Sequence, residues 1–332
     1  MKVAVGIKAL NEAAHIGAAI ESAREALAKV GGGEIVLADS GSTDGTIAIA
    51  QRYAGVRVVQ LADSSERSCG AGAQLAFQAA DAEYFYLLDG DMTLAPGFLA
   101  RGLAFLEGNA HYAAVGGQVR EADTSSIEFE LRARNDRVKG SAIAGDVDRL
   151  DCGGLYRVAA VRSVGYFADR NLHAFEEFEL GARLRAAGWK LARIDAPAVE
   201  HHGHSTGGYR LMVQRLRSGY AGGAGEVVRA AWGRAHWREV LHNFVQLRYS
   251  IAVIAWWCAL LAALVAGWGL ALFLIVAAPI LFLAIRRRSL RFGLYSLATW
   301  NVIAIGFVQG LARRRRPPEA PVPAIEIAGT TM

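Results

Sequence analysis

Three acidic clusters have the residue types and spacing for chemistry. Asp89-Gly90-Asp91 sets two carboxylates one residue apart, directly after the run Tyr84-Phe85-Tyr86-Leu87-Leu88. At a strand end this spacing suits one hard divalent cation, Mg2+ or Mn2+, which prefers oxygen ligands and keeps positions open for phosphate oxygens. Read alone, the same triplet is an acidic turn. Asp39-Ser40-Gly41-Ser42-Thr43-Asp44-Gly45-Thr46 follows a second short apolar run. As local structure it is a turn leading into a helix cap. As a site it offers Asp39 to the base or ribose of a nucleotide, with Asp44 bracing the loop. Glu176-Glu177-Phe178-Glu179-Leu180 opens a segment that carries Arg183 and Arg185. Acids in a first turn complement the helix dipole, and their crowding also raises one carboxylate toward the range of a general base. His201-His202-Gly203-His204 adds three imidazoles in four positions. Without a second Cys or His cluster, they do not make a tetrahedral zinc site.

The elements that must position these groups follow from periodicity. Residues 3–7, 34–38, 56–60 and 84–88 read as strands, and 11–29, 46–53 and 67–80 as amphipathic helices between them. Short apolar runs alternating with helices predict βαβ units, an α/β fold and a mostly parallel sheet with flanking helices. In such sheets ligands bind at the carboxyl ends of the strands. Asn11-Glu12, Asp39–Asp44 and Asp89–Asp91 each follow a strand, so the polar clusters fall where that rule puts a site. Between 120 and 250 the pattern is less regular: 125–139 reads as a polar helix, 176–187 as an amphipathic helix and 189–194 as a strand.

The chain has 332 residues, 53% of them apolar, and a net charge of +5. From 251 to 285 there is no charged residue, whereas the stretch from 251 to the end holds eight arginines against Glu319 and Glu326. That surplus of six exceeds the charge of the whole chain, so residues 1–250 are close to neutral. The distribution excludes a nucleic-acid-binding body and predicts a globular domain with a basic membrane collar. As one helix, 251–285 would be about 52 Å long against a hydrocarbon core of about 30 Å. Gly267-Trp268-Gly269 at its middle predicts a transmembrane hairpin that returns Arg286–Arg288 to the cytosolic side. Arginines also flank 292–312, and a third crossing would place one cluster outside, so this run is expected to be interfacial or re-entrant. Met1-Lys2 runs straight into the first strand and does not read as a signal peptide. Three separated cysteines, Cys69, Cys152 and Cys258, suit a reducing compartment. The expected location is the cytoplasmic (inner) membrane, multi-pass, with the catalytic domain facing the cytosol.

Taken in this order, the motifs resemble the family 2 glycosyltransferases, an inverting class with a GT-A fold. The resemblance spans roughly residues 2–205 and rests on Ala9-Leu10-Asn11-Glu12, Asp39–Thr46, Leu88-Asp89-Gly90-Asp91, and 176–180 followed by Arg183 and Gly188. It implies that Ala9, Asn11, Glu12, Asp39 and Asp89 line a nucleotide-sugar pocket and that Asp89 and Asp91 form the DxD metal motif, with Asp91 the firmer ligand. It further implies that Glu177, or its neighbour Glu176, is the catalytic base, and that His201 lies near the metal and diphosphate. The Arg-Asn pair that many relatives carry before DxD is replaced by Ala73 and Gln74; Gln74 is expected to keep a place in the nucleotide-sugar pocket, and Arg67 to supply the missing charge there. Gln214-Arg215-Leu216-Arg217-Ser218 departs from the QxxRW motif of processive synthases at Ser218, which argues against polymer synthesis. The implied reaction is metal-dependent, inverting transfer of a sugar from a nucleotide-diphosphate donor to an acceptor hydroxyl. The acceptor is expected to be lipid-linked or membrane-presented, in cell-surface polysaccharide or glycolipid synthesis. The rival readings are a polyprenyl-phosphate monosaccharide transferase, a nucleotidyltransferase and a non-catalytic membrane scaffold.

The expected organisation is a catalytic domain over 1–205, a basic and aromatic juxtamembrane region over 206–250 and a transmembrane pair over 251–285. A basic-flanked helix over 286–316 and a disordered tail over 317–332 complete it.

Overall fold

A computed structural model describes residues 1–122, 144–151, 153–202 and 208–328. The helix expected at 125–139, and with it Cys152 and His204, lies outside the described residues. Those of 1–125, 133–205 and 315–332 form one compact unit, and those of 206–314 a second.

The first unit begins β1 (Val3–Ala9), α1 (Ile16–Ala28), β2 (Glu34–Asp39), α2 (Thr46–Ala50), β3 (Val56–Leu61), α3 (Cys69–Ala79), β4 (Tyr84–Asp89). It continues β5 (Met92–Leu94), α4 (Phe98–Gly108), β6 (Tyr112–Glu121), β7 (Gly145–Val147), β8 (Gly154–Arg157), α5 (Val158–Ser163), α6 (Glu176–Ala186), β9 (Lys190–His201). All strands join one sheet in the order β10-β3-β2-β1-β4-β8-β6-β9-β5, with β7 on β9, where β10 is Ala324–Ile327. The parallel sheet expected from the sequence holds for β3-β2-β1-β4; beyond β4 the sheet is mixed, because β8 and β5 run antiparallel to their neighbours. Alternation sorts the side chains. Val3, Val5 and Ile7 pack with Ile16 and Ile20 of α1 and Leu99 and Leu103 of α4 on one face. Ala4, Phe85 and Leu87 pack with α3, α5 and α6 on the other. Burial on both faces explains why the central strands read as continuous apolar runs.

The expected disordered tail is instead part of this unit. Ala324–Ile327 pairs antiparallel with β3, Val322 N donates to Gln78 Oε1 at 2.9 Å, and Arg170 Nη1 donates to the Pro321 carbonyl at 2.9 Å. Arg315 pairs with the fully buried Asp169, and Arg316 with Glu66. Composition alone misses this because the backbone edge of β3, the apolar pocket that takes Val322 and the Arg57 partner of Glu326 all come from distant parts of the chain.

The second unit comprises α7 (Gly208–Ser218), α8 (Gly223–Ala231), α9 (Trp237–Asn243), α10 (Val245–Val265), α11 (Gly269–Arg287) and α12 (Leu290–Ala312). The last three are each long and apolar enough to cross a membrane. The run expected to be interfacial or re-entrant forms α12, a continuous helix of 23 residues. Consecutive tryptophans on α10 tie the three together. Trp256 Nε1 donates at 2.9 Å to the Ile275 carbonyl, which Pro279 inside α11 leaves without its helical partner. Trp257 Nε1 donates at 2.8 Å to Asn301 Oδ1 on α12. Gly306 and Gly310 of α12 let its backbone meet Ala221 and Gly222 directly: a Cβ on Gly310 would lie 2.0 Å from the Gly222 carbonyl oxygen.

Candidate active site

Sheet register brings the carboxylates together. On β1, Ala9 is the partner of Asp39 on β2, and Lys8 is the partner of Asp89 on β4. The loops beyond β1 and β2 are clasped. Asn11 N donates to Ser42 Oγ and Thr43 N to Asn11 Oδ1, both at 2.8 Å, and Glu12 N donates to Thr46 Oγ1 at 2.8 Å. Asn11 adopts φ 59°, a left-handed conformation that asparagine tolerates. Asp44 accepts from Ala13 N and Thr46 N, so its carboxylate holds the two loops to each other.

Asp39 is fully buried. Its Oδ1 accepts from Gly41 N and Ser42 N at 2.8 Å and from Gln60 Nε2 at 2.9 Å. Its Oδ2 is buried with no partner among the described residues. A buried polar atom without a partner is costly, and a ligand N–H or O–H is the natural donor to it.

Glu12 lies over Gly90, where any Cβ would come within 2.9 Å of Glu12 Cγ and 3.2 Å of Ala9 Cβ. Burial, and then the charges of Asp91, Asp89 and Asp44, push the Glu12 carboxyl up to about 8. Asp91, just ahead of β5, meets His201, the last residue of β9 and the register partner of Met92. His201 Nε2 is 3.3 Å from Asp91 Oδ2, and its Nδ1 is 2.7 Å from Glu121 Oε2. Burial would lower the His201 pKa, but hydrogen bonds to Asp91 and Glu121 raise it to about 10, so the ring is an imidazolium. His15 stacks on His202 at 5.5 Å between ring centroids.

Among the described residues no three His, Cys, Asp or Glu side chains form a ready metal cage. Mg2+ and Mn2+ sites need fewer, since one or two carboxylates plus phosphate oxygens and water suffice. The donor set fits such an open site. Three carboxylates crowd one another, and a cationic imidazole already rests on Asp91.

Glu176 and Glu177 start α6, immediately after Phe175 in a left-handed conformation, φ 67°. A non-glycine residue there costs about 1–3 kcal/mol and has to be held by its surroundings. Upstream, Ser68 Oγ donates to the Arg170 carbonyl and Gly70 N to the Leu172 carbonyl, both at 2.8 Å, so α3 anchors this approach. The Glu176 carboxylate, buried, accepts from Lys8 Nζ at 2.8 Å, and Lys8 is also 3.2 Å from Asp89 Oδ1. Burial alone would lower the Lys8 pKa; Asp89, Glu176 and Glu177 hold it well above the usual lysine range. Glu177 is partly exposed. Burial, and next the Glu176 charge, push it up to about 8.

Ala9, Glu12, Asp39, Asp89, Asp91, His201, Glu176 and Glu177 therefore gather at one edge of the sheet. Gln74 does not offer its amide oxygen there, because that oxygen accepts from Phe167 N at 2.9 Å and Ala168 N at 3.1 Å. Arg67 is exposed, following the turn Ser64–Glu66, and no described carboxylate pairs with it. Three participants escaped the sequence reading: Lys8, Gln60 and Glu121. A lone lysine inside the apolar strand β1 was the available signal; nothing local marks Gln60 or Glu121.

With this geometry in view, residues 4–163 match the family "Glycosyl transferase family 2" and residues 152–284 match "Glycosyl transferase family group 2". The chain is 28% identical over 167 residues to the putative glycosyltransferase EpsE of Bacillus subtilis (strain 168), a match covering 47% of this chain. It spans 58% of the length of that relative. Among solved structures it resembles the mannosyltransferase PcManGT from Pyrobaculum calidifontis, in complex with GDP-Man and Mn2+. The TM-score is 0.64 at 21% identity, over 93% of this chain and 87% of that one. It also resembles residues 1–349 of S. aureus TarS in complex with UDP-GlcNAc, with a TM-score of 0.51 at 16% identity, over 93% and 92%. At these identities the likeness establishes the GT-A fold.

Proposed function

Starting from a chain that belongs to the family 2 glycosyltransferases, we propose that it transfers a sugar from a nucleotide-diphosphate donor to an acceptor hydroxyl, with inversion at the anomeric carbon. The observation that carries this reading is the unequal state of two adjacent glutamates. Glu176 is held by Lys8, whereas Glu177 is partly exposed and poised near 8. A carboxylate with a raised pKa, beside the strand-end acids of a nucleotide-binding sheet, is placed to take a proton from an attacking hydroxyl.

Asp39 Oδ2 accepts from the base or ribose of the donor, and the clasped loops beyond β1 and β2 hold the pocket walls around it. Asp91 and Asp89 would hold Mg2+ or Mn2+, and His201 would join them as a ligand only on giving up its proton, which the charge of the ion would replace. The ion supplies positive charge to the diphosphate as the leaving group departs. Lys8 keeps Asp89 and Glu176 oriented. Glu177 removes the acceptor proton as the hydroxyl oxygen bonds to C1 and the C1–O bond to the diphosphate breaks. A single displacement of this kind inverts the anomeric centre.

The acceptor is membrane-presented in this reading, and the apolar helices anchor the chain at the cytosolic face of the inner membrane. Support comes from the second unit, where Trp232 is 72% exposed beside Trp237 at 5.3 Å and Tyr209 is 53% exposed. Arg210, Gln214 and Arg217 line a surface hollow of α7 in the same unit. Exposed tryptophans and arginines beside apolar helices suit an interface with anionic headgroups.

The test is transfer from a panel of nucleotide sugars with Mn2+, using extracted lipids in liposomes as acceptors. A product that partitions into organic solvent, with release of a nucleoside diphosphate, supports the reading. Release of pyrophosphate, or failure to bind any nucleotide sugar, rejects it. Equal turnover with a water-soluble acceptor rejects the lipid acceptor alone.

A further inference from the structure

Residues 206–314 leave the catalytic unit at 205 and rejoin it at 315. Both junctions are continuous chain, so both ends of the excursion share one side of any bilayer. The return is secured within the catalytic unit by Arg315 on Asp169, by the Gln78–Val322 bond and by the pairing of Ala324–Ile327 with β3. A chain that leaves and returns to the same side crosses an even number of times. Three helices are long and apolar enough to cross, so they cannot all do so.

The turns discriminate between pairs. Gly267-Trp268 between α10 and α11 is uncharged, whereas Arg286, Arg287, Arg288 and Arg291 crowd the turn between α11 and α12. Arginines stay on the cytosolic side, so α10 and α11 are the crossing pair, with 267–268 on the far side.

The neighbours of α12 give the same answer independently of charge. Gly293 lies against the Ala284 backbone and Ser296 Oγ accepts from Arg287 Nε at 3.2 Å, both near the C-terminal end of α11. Trp300 stacks on Tyr249 at 5.0 Å, near the start of α10, and Asn301 accepts from Trp257. Gly306 and Gly310 then reach Ala221 and Gly222 beside α8. Helix α8 is only nine residues long, too short to cross, and its buried Glu226 pairs with Arg313. Followed along its length, α12 passes from the end of α11 across the first half of α10 and on to α8. Apart from Trp257, near the middle of α10, these partners lie toward the hairpin ends away from 267–268. On the other side, exposed Leu290, Leu294, Ile305, Val308 and Leu311 fall within one stripe at 100° per residue.

We propose that α12 does not cross the bilayer. It lies along the face on the catalytic side, with the Leu290–Leu311 stripe at the acyl-chain boundary and Arg286, Arg291 and Arg314 among headgroups. Among the described residues the α10–α11 hairpin is the only crossing. The inference rests on the membrane anchoring proposed above.

Labelling of the full-length protein in sealed vesicles of both orientations tests it. Single cysteines are introduced as Glu25→Cys on α1, Trp268→Cys, Arg291→Cys and Arg314→Cys, in a chain whose Cys69, Cys152 and Cys258 are alanine. A membrane-impermeant maleimide should reach positions 25, 291 and 314 from one side and 268 only from the other. Labelling of 291 and 314 from opposite sides overturns the inference and leaves the anchor standing. Release of the chain from vesicles by an alkaline carbonate wash removes the anchor reading, and this inference with it.

Discussion

Lys8 Nζ lies 2.8 Å from Glu176 Oε1, a contact between residues 168 positions apart. One of two neighbouring glutamates is thereby fixed as an ion-pair partner and the other is left available. Replacement of Glu177 by Gln is expected to lower kcat by about 10²–10⁴-fold with donor affinity little changed. Replacement of Glu176 by Gln removes one partner of a buried ammonium, so it should lower thermal stability and reduce kcat less. Steady-state kinetics and calorimetric donor titration of both variants check this. Equal kcat losses in the two would reject the assignment.

The base also sets a pH dependence. Glu177 acts as the carboxylate, and its folded-state pKa is about 8, so kcat/KM should rise with pH through about 8 and then level. The Lys8 charge lowers the Glu177 pKa. In Lys8→Met the rising limb should therefore move to higher pH. A limb that stays in place, or moves down, contradicts the pairing.

Glu12 gives a stability prediction of determined sign. Its folded pKa is raised to about 8 from 4.5, so folding favours the protonated form. The group is neutral in both states well below 4.5 and costs nothing there. The penalty grows as pH rises from about 4.5 to 8 and is constant above. Glu12→Gln should therefore raise Tm at pH 9, by about 2–4 °C for each 1 kcal/mol relieved, with little change at pH 4. Thermal unfolding of the metal-free protein at the two pH values measures it.

Asp91→Asn removes the carboxylate charge that meets His201 while keeping its shape. Mn2+-dependent nucleotide binding should be lost, with the circular dichroism spectrum unchanged. In the unmodified protein a chelator should abolish turnover and added Mn2+ should restore it. Full turnover in the presence of EDTA would exclude the metal.

The returning tail changes what counts as a separable catalytic domain. The βαβ pattern over 1–205 looks self-contained, yet Arg315 covers the buried Asp169, which stands six residues before Phe175. A chain ending at 250 should be markedly less stable than one in which 205 is joined to 315 by a flexible linker. Arg315→Met alone should cost up to about 3 kcal/mol, because it leaves a buried carboxylate unpaired. Chemical denaturation of the three variants compares them, and equal midpoints would show that the tail is dispensable.

The sequence by itself determined those features whose physics is local. Short continuous apolar runs between helices set β1 to β4, and turn and cap residues set the Asp39–Thr46 loop. Uncharged length set the apolar helices, and strand-end acids marked the edge where a ligand binds. Only the tertiary structure decided which of these groups meet. Register put Lys8 beside Asp89, and packing brought Glu176 onto the same ammonium. In the mixed second half of the sheet, the antiparallel pairing of β5 with β9 carried His201 to Asp91. Gln74 was drawn to the amides of Phe167 and Ala168, away from the place its sequence position suggested. The tail, whose prolines made it read as disordered, became a strand because the edge of β3 offered backbone partners and Val322 and Glu326 found partners in the first unit. Periodicity reports what a segment buries against its own neighbours. It carries no information about an ion pair between strand and helix 168 residues apart, which exists only once the sheet has fixed both ends.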